Sequence, residues 1–206
     1  MTAMKPIQIA MLLLLTIMLV SSNSAVSIPS WSSIYAKSSG IAKGWKYIVI
    51  HHSGTDAGSA DSFDRYHEKM GYGGLCYHFV IGNGNGTPDG KIETGFRWKE
   101  QIVGTHVDVN SWYHNIFGIG ICLVGNFNKD RPTKKQMESL EKLVKKLMRE
   151  QQIPASDVLP HNRVPVGEID WDSKSIRVLL QADRYAATDC PGKNFPMTAF
   201  KKQFSP

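Results

Sequence analysis

Short apolar runs alternate with amphipathic segments along most of the chain, which predicts strands interleaved with helices. The run Tyr47 to Ile50 is rich in β-branched residues and leads into His51-His52-Ser53-Gly54, so it predicts a buried strand closed by a turn. Further strands are predicted at Leu75 to Ile81, Lys91 to Thr94 and Gly118 to Val124. The Gly- and Asn-rich segment 82–90 predicts a hairpin loop between two of them.

Apolar residues spaced three and four positions apart predict the helices. A first helix is expected from Ser62 to Met70, with Ser59 or Asp61 as its N-cap, and a long one, capped by Thr133, through about Gln151. Further helices are expected at Ile176 to Ala182 and near Met197 to Phe204. Together these elements predict an α/β domain in which helices flank a central mixed β-sheet.

The N-terminal segment has a different composition from the rest of the chain. Residues 1–25 combine an early Lys5, a 14-residue apolar run from Ile7 to Val20 and small residues after it, which predicts a signal peptide. The run is short for a membrane span, although an uncleaved anchor is the alternative. Residues 26–44 are rich in serine and predict a weakly ordered lead-in, so the domain proper is expected at 45–206. We therefore expect export to the periplasm, the extracellular space or the cell wall, without stable membrane insertion after signal removal.

Length, charge and cysteine content narrow the function. A chain of 206 residues suits one domain, which we expect to be a monomer. The net charge of +6 favours an anionic polymer as partner, but no stripe of basic and aromatic residues indicates nucleic acid. Three cysteines in an exported protein leave at least one unpaired thiol. Cys76 and Cys122 are either two core thiols or a disulfide pair.

Three candidate metal ligands lie far apart in the sequence. Catalytic zinc sites usually take three protein ligands and leave a fourth position for water. His51 ends the first predicted strand, His161 follows Pro160, and Cys190 lies in a turn between Asp189 and Pro191. These separations are too long for a zinc finger. Spacing by itself therefore leaves the trio as a hypothesis, beside the alternative that the histidines are satisfied structural residues.

Five segments, in order, carry a resemblance to a known family. They are Val49 to Ser53, Cys76 to Ile81, Val103 to His106, Gly118 to Gly125 and Thr188 to Gly192. In this order they resemble the zinc-dependent N-acetylmuramoyl-L-alanine amidases, a family that includes the peptidoglycan recognition proteins and T7 lysozyme-like enzymes. The resemblance covers about residues 45–205, nearly the whole predicted domain.

The resemblance implies a role for each matching residue. His51, His161 and Cys190 would bind Zn²⁺ as the cofactor. Tyr77 would occupy the position of the family's catalytic tyrosine, and Thr188 that of the Lys or Thr that assists it. A phenol can donate a hydrogen bond to the oxyanion that forms when an amide carbonyl is attacked.

The resemblance also implies a substrate. The expected reaction hydrolyses the amide between the lactyl group of N-acetylmuramic acid and L-alanine of the stem peptide, so the expected partner is peptidoglycan or a muropeptide. His106 would line the substrate groove. Trp112 and His114 are further candidates for contact with substrate, although core packing for the first and a loop role for the second are equally open.

One departure from the family separates the last two proposed ligands. Residues 162–189, 28 positions, lie between His161 and Cys190, whereas the family has a much shorter spacer. The excursion 164–187 either forms a wall of the substrate groove or decorates the surface. Asp172 is a candidate N-cap for the predicted helix within it.

The sequence leaves other interpretations of function and of single residues open. A non-catalytic peptidoglycan-binding module and a zinc amidase with a different amide substrate are the two rival functions. Glu93 is an alternative general base, with a surface position on the hairpin as the simpler interpretation. Among the remaining histidines, we expect His52 and His78 to be structural and His67 to lie in solvent.

Overall fold

The computed structural model describes residues 44–108, 111–172 and 175–204. The predicted signal peptide and nearly all of the predicted lead-in lie outside these residues. Within them, no helix combines the length and the apolar character needed to cross a membrane.

A five-stranded mixed sheet forms the centre of the protein, as predicted. The strands are β1 (Tyr47–His52), β2 (Phe79–Ile81), β3 (Ile92–Thr94), β4 (Gly118–Leu123) and β5 (Val158–Pro160). Their order across the sheet is β3-β2-β4-β1-β5. β1 pairs in parallel with both β4 and β5, while β2 and β3 form the predicted antiparallel hairpin. β1 therefore lies between two parallel neighbours.

Helices flank the sheet, also as predicted. They are α1 (Ala60–Lys69), α2 (Phe96–Lys99), α3 (Trp112–Phe117), α4 (Lys134–Gln151) and α5 (Met197–Lys202). Ser59 and Thr133 cap α1 and α4 through capping boxes, in which each cap side chain accepts from the third backbone N–H of its helix. The short helices α2 and α3 were not predicted, because single turns show too little of a helical repeat to be recognised.

Alternation along β1 directs its side chains to two different layers. Ile48 and Ile50 belong to the large core beneath α4, which contains Leu140 and Val144. Val49 points to the opposite face, where it packs in a separate apolar cluster. His51 shares the face of Val49 because the two residues are separated by two positions. The end of β1 therefore presents His51 on the side of the sheet away from α4.

The predicted helix at Ile176 to Ala182 is wrong. The backbone there belongs to β7 (Ser175–Tyr185), which pairs antiparallel with β6 (Pro165–Asp172), and Asp172 pairs with Ser175 instead of capping a helix. The sequence carries a period of two, since Ile176, Val178, Leu180 and Ala182 alternate with other residues. The excursion is thus a two-stranded hairpin outside the central sheet.

The second strand is shorter than predicted. Residues Cys76 to His78 form bends, and β2 begins only at Phe79. The bends still place His78 in the interior, where its Nδ1 accepts from the Gly120 N–H at 3.0 Å and its Nε2 donates to the Ile102 carbonyl at 3.1 Å. His78 is therefore structural, as predicted.

Burial of His78 makes stability depend on pH. Burial lowers the pKa of His78 from 6.5 to about 3, so below pH 6.5 the unfolded chain takes up a proton that the folded chain refuses. The neutral, buried His78 therefore contributes to the free energy of unfolding in full above pH 6.5. This contribution is lost at about 1.4 kcal/mol per pH unit as the pH falls toward 3. Urea titrations at pH 7 to 4 should show a shallower loss of unfolding free energy in His78→Gln than in the wild type. Equal slopes would contradict the assignment.

A buried arginine organises the bends that precede β2. Arg97 of α2 is fully buried. Its guanidinium donates to the carbonyls of Leu75 at 2.6 Å, Val103 at 2.8 Å, Tyr72 at 3.0 Å and Gly73 at 3.3 Å. Three of these carbonyls belong to the segment directly before Tyr77. Arg97 therefore fixes the path of the chain toward that residue.

Replacing Arg97 by methionine should destabilise the protein strongly. The substitution keeps much of the buried volume but leaves buried carbonyls without a donor, which we expect to cost at least about 3 kcal/mol of unfolding free energy. The matched control is Arg65→Met, because Arg65 is exposed and pairs with Asp61 on the surface of α1. Its expected effect is within about 0.5 kcal/mol. Similar losses for both variants in urea titrations would argue against this role of Arg97.

Candidate active site

Three side chains from distant parts of the sequence meet at the end of β1. A nitrogen of His51, a nitrogen of His161 and the Cys190 sulfur lie within 4.8 Å of one another. His161 begins the 3-10 turn His161–Arg163 directly after β5, the parallel neighbour of β1. The Asn162 N–H donates to the Cys190 carbonyl at 2.8 Å and so ties the third segment to this turn. The structure thus brings the three proposed metal ligands together.

The donor atoms fit a tetrahedral zinc site. His51 Nδ1 and Cys190 Sγ are 3.6 Å apart. Zinc bonds of typical length at a tetrahedral angle would separate such a nitrogen and sulfur by about 3.5 Å. The backbone N–H of His52 donates to Cys190 Sγ at 3.3 Å, a contact that stabilises negative charge on sulfur. His51 is 1% exposed and Cys190 9% exposed, so water competes little for these donors.

Burial sets the protonation states of the three groups. It lowers the pKa of His51 well below its usual range, and neighbouring His161 lowers it further. It also lowers the pKa of His161 to about 4 and raises that of the Cys190 thiol to about 12. Both imidazoles are therefore neutral at physiological pH, as coordination requires. A bound cation would reverse the effect on the thiol and favour the thiolate.

The loop that carries Cys190 is held against the core. Thr188 Oγ1 accepts from the Cys190 N–H at 3.1 Å, and the Gly192 N–H donates to the Asp189 carbonyl at 2.6 Å. Gly192 has φ +101°, and a Cβ there would lie 2.4 Å from the carbonyl carbon of Phe127. Only glycine allows this approach without a backbone shift. The loop therefore needs glycine directly after Cys190-Pro191.

Tyr77 lies beside the three clustered side chains. Its ring centroid is 5.2 Å from that of His51, and the side chain is half-buried. Burial raises the pKa of Tyr77 well above its usual value of 10. The phenol therefore remains a hydrogen-bond donor throughout the physiological range.

A cleft of about 690 Å³ adjoins this cluster, because His161 and Tyr77 line it. Two other described cavities are smaller, at about 370 and 410 Å³. Tyr77, His106, His161 and Thr188 are among the residues that line the cleft. Val166, Arg184 and Tyr185 at the base of the β6–β7 hairpin also line it. The excursion therefore contributes to the groove wall, which was one of the two readings that the sequence left open.

His67 lines the cleft, although the sequence predicted that it would lie in solvent. It is half-buried rather than in solvent, its Nδ1 accepts from the Cys76 N–H at 3.2 Å, and its ring packs edge-on to Tyr77 at 5.7 Å. The prediction of a solvent position was wrong. The missed signal is that His67 follows Phe63 by one helical turn, and Phe63 packs against a buried cluster.

Trp112 and His114 lie on α3 and are absent from the described lining of the cleft. His114 is fully buried, with its ring 4.6 Å from that of Tyr47. His106, by contrast, lines the cleft and hydrogen-bonds to His51. Of the three residues considered for substrate contact, only His106 is therefore placed to reach a molecule in the cleft.

The remaining candidates have structural environments. Glu93 accepts from the Ala60 N–H at 2.7 Å at the start of α1. His52 points away from His51, and its Nδ1 accepts from the Phe127 N–H at 3.0 Å. Cys76, Cys122 and Cys190 are all buried free thiols, so Cys76 and Cys122 are core thiols rather than a disulfide pair.

Comparison with known protein families shows to which family the chain belongs. Residues 42–193 match the family model described as N-acetylmuramoyl-L-alanine amidase, which is more than half of the sequence. The chain belongs to the N-acetylmuramoyl-L-alanine amidase family. The resemblance inferred from the five sequence segments is thereby confirmed.

Individual relatives of the chain include proteins named as N-acetylmuramoyl-L-alanine amidases and as peptidoglycan recognition proteins. The amidase LysC from Clostridium intestinale URNW superimposes with a TM-score of 0.58 and 30% identity, covering 79% of this chain and 87% of LysC. A peptidoglycan recognition protein of Trichoplusia ni is 28% identical over 114 residues, which are 51% of this chain and 57% of that protein. A human N-acetylmuramoyl-L-alanine amidase is 28% identical over 157 residues, which are 71% of this chain and 22% of that protein. The chain thus spans only part of the length of these two relatives.

Proposed function

We propose that this protein is an exported, zinc-dependent N-acetylmuramoyl-L-alanine amidase. It would hydrolyse the amide between the lactyl group of N-acetylmuramic acid and L-alanine of the stem peptide. The observation that carries the proposal is the convergence of two neutral imidazoles and a thiol beside Tyr77, next to a cleft of about 690 Å³ that His161 and Tyr77 line. Membership of the amidase family supports the substrate class.

The proposed metal ligands are His51, His161 and Cys190. When bound by them, Zn²⁺ would polarise the scissile carbonyl and lower the pKa of the attacking water toward about 7. Burial keeps the two imidazoles neutral and therefore able to ligate. The His52 N–H holds the Cys190 sulfur in place.

Tyr77 is the proposed donor to the oxyanion that develops on the carbonyl oxygen. Its raised pKa keeps the phenol protonated, and the 5.2 Å between its ring and that of His51 supports a role beside the proposed metal. Thr188 would assist from the cleft lining, with a hydroxyl whose oxygen already accepts from the Cys190 N–H. Its hydroxyl proton stays available for a substrate oxygen.

The cleft suits an extended glycopeptide more than a compact ligand. It is open to solvent and flanked by His67 and Tyr72 as well as by the hairpin residues Arg184 and Tyr185. The cationic side chain of Arg184 would attract the carboxylates of a stem peptide. The net charge of +6 favours the same kind of partner. We therefore propose peptidoglycan or its muropeptides as partner, and a monomer that acts in the periplasm or at the cell wall.

Digestion of purified peptidoglycan tests the proposal. Mass spectrometry should detect free stem peptides that begin with L-alanine, together with intact sugar chains. Chelation should stop their release and added Zn²⁺ should restore it. Release at an equal rate by the metal-free protein would refute the zinc mechanism, and cleavage of a different amide would refute the assigned substrate.

A non-catalytic recognition module is the second candidate, because recognition proteins are among the relatives. Such a module has no need of a complete set of ligands with Tyr77 beside it. Binding of muropeptides without release of stem peptides, by protein that contains zinc, would favour this alternative.

A further inference from the structure

His106 lies directly against the proposed ligand His51. His106 Nδ1 and His51 Nε2 are 3.1 Å apart, and His106 Nε2 is 3.1 Å from the Gly118 carbonyl oxygen. His51 is 1% exposed and His106 is 6% exposed. The chain of contacts therefore runs from a backbone carbonyl through one imidazole to the next, and both residues are largely shielded from bulk water.

The direction of these hydrogen bonds follows from chemistry. A carbonyl oxygen only accepts, so His106 Nε2 must carry the proton of that contact. A neutral imidazole has one N–H, which leaves His106 Nδ1 as an acceptor. His51 Nε2 must then donate to it, and the lone pair of His51 is left on Nδ1. Nδ1 is the atom that lies 3.6 Å from Cys190 Sγ.

The backbone around His106 is shaped to hold its ring. An added Cβ at Gly104 would lie 2.3 Å from His106 Cδ2, and one at Gly120 would lie 2.5 Å from the same atom. Both distances are far below van der Waals contact. Glycine at positions 104 and 120 therefore leaves room for the imidazole of His106. This ring lies beside β4, whose Gly118 carbonyl accepts its hydrogen bond.

We propose that His106 is a positioning residue that holds His51 in the Nε2–H tautomer and directs the Nδ1 lone pair toward the Cys190 sulfur. The hydrogen-bond relay is a property of the chain itself, while its value for metal binding rests on the proposed function. This role adds to the contact with substrate that the position of His106 in the cleft allows. Outer contacts of this kind orient metal-bound imidazoles and typically affect metal affinity by about 10- to 100-fold.

The relay can be measured in metal-free protein by ¹⁵N NMR of the histidine rings. We expect the wild-type spectrum to show His51 protonated at Nε2 and His106 protonated at Nε2. In His106→Leu the His51 signals should move toward a mixture of both tautomers. Protonation of His51 at Nδ1 in the wild type would overturn the proposal without any metal being involved.

Zinc affinity, measured by competition with a chromophoric chelator, provides the second test. His106→Leu and His106→Gln lack an acceptor at the Nδ1 position, so we expect zinc to bind about 10- to 100-fold more weakly. His106→Asn offers its amide oxygen there and should restore affinity to within about threefold of wild type. Equal affinity of all four proteins would overturn the proposal.

A second buried histidine controls for general loss of packing. His78→Leu also removes two buried hydrogen bonds, to Gly120 and Ile102, and the His78 ring borders that of His106 at 5.8 Å, but no described hydrogen bond joins His78 to His51, so the variant changes the packing around the relay without removing the acceptor. It should lower the thermal midpoint yet leave the His51 tautomer unchanged. If His78→Leu altered that tautomer as much as His106→Leu, the proposal would fail. If the wild type showed the Nε2–H tautomer but bound no zinc, the proposed function would fail and the relay would stand.

Discussion

A Cys190→Ser variant is expected to lose zinc and amidase activity together. The hydroxyl of serine is a poor replacement for a thiolate ligand, and it cannot accept the His52 N–H with comparable negative charge. Loss of a direct ligand should exceed the effect of an outer contact, so we expect zinc affinity to fall by more than about 100-fold. If the proposed function holds, the rate of stem-peptide release should fall by at least about 1,000-fold, since a bound Zn²⁺ would contribute several kcal/mol to transition-state stabilisation.

Metal content and peptide release on the same preparation provide the measurement. Cys122→Ala is the matched control, because Cys122 is a fully buried thiol opposite His51 on β4 that is not among the proposed ligands. It should retain one zinc per chain. A Cys190→Ser protein that keeps both zinc and activity would remove Cys190 from the metal site.

Tyr77→Phe is expected to lower kcat while leaving the metal in place. The substitution removes one hydroxyl and preserves the ring that packs against His51 and His67. Loss of a single oxyanion donor typically costs about 100- to 1,000-fold in kcat. Because the donor acts mainly in the transition state, KM should change little.

Steady-state kinetics on a soluble muropeptide, combined with zinc analysis, would test this effect. Tyr113→Phe is the control, since Tyr113 accepts from Lys46 Nζ at 3.1 Å and is not among the described residues that line the cleft. Both variants should keep wild-type zinc content. Parallel loss of zinc and activity in Tyr77→Phe would indicate a structural role for the hydroxyl instead of a catalytic one.

The sheet and its principal helices could be read from local pattern. β1, β4 and α4 are long or strongly periodic, and their burial follows directly from the apolar positions. Thr133 caps α4 as expected, in a capping box with Gln136, because that interaction involves only neighbouring residues. At β7, where Val178, Leu179 and Leu180 interrupt the alternation of apolar and polar residues, a helix was expected in place of a strand.

The proposed site could be suspected but not assembled from the sequence. Order and identity of the motifs pointed to His51, His161 and Cys190, and the fold places their donor atoms within 4.8 Å. His67 and Arg97 gave no comparable signal. Their roles depend on which backbone groups come to lie opposite them, namely the Cys76 N–H and four carbonyls.

The amino-acid sequence by itself determined the family, the mixed sheet and the residue types available for metal chemistry, because these follow from composition, periodicity and motif order. Only the tertiary structure decided that the hairpin lines the cleft, that His114 is buried away from it, and that His106 contacts His51. The physical reason is that hydrogen-bond partners and shared cavities are set by pairings between segments far apart in sequence. No local pattern of residues encodes those pairings.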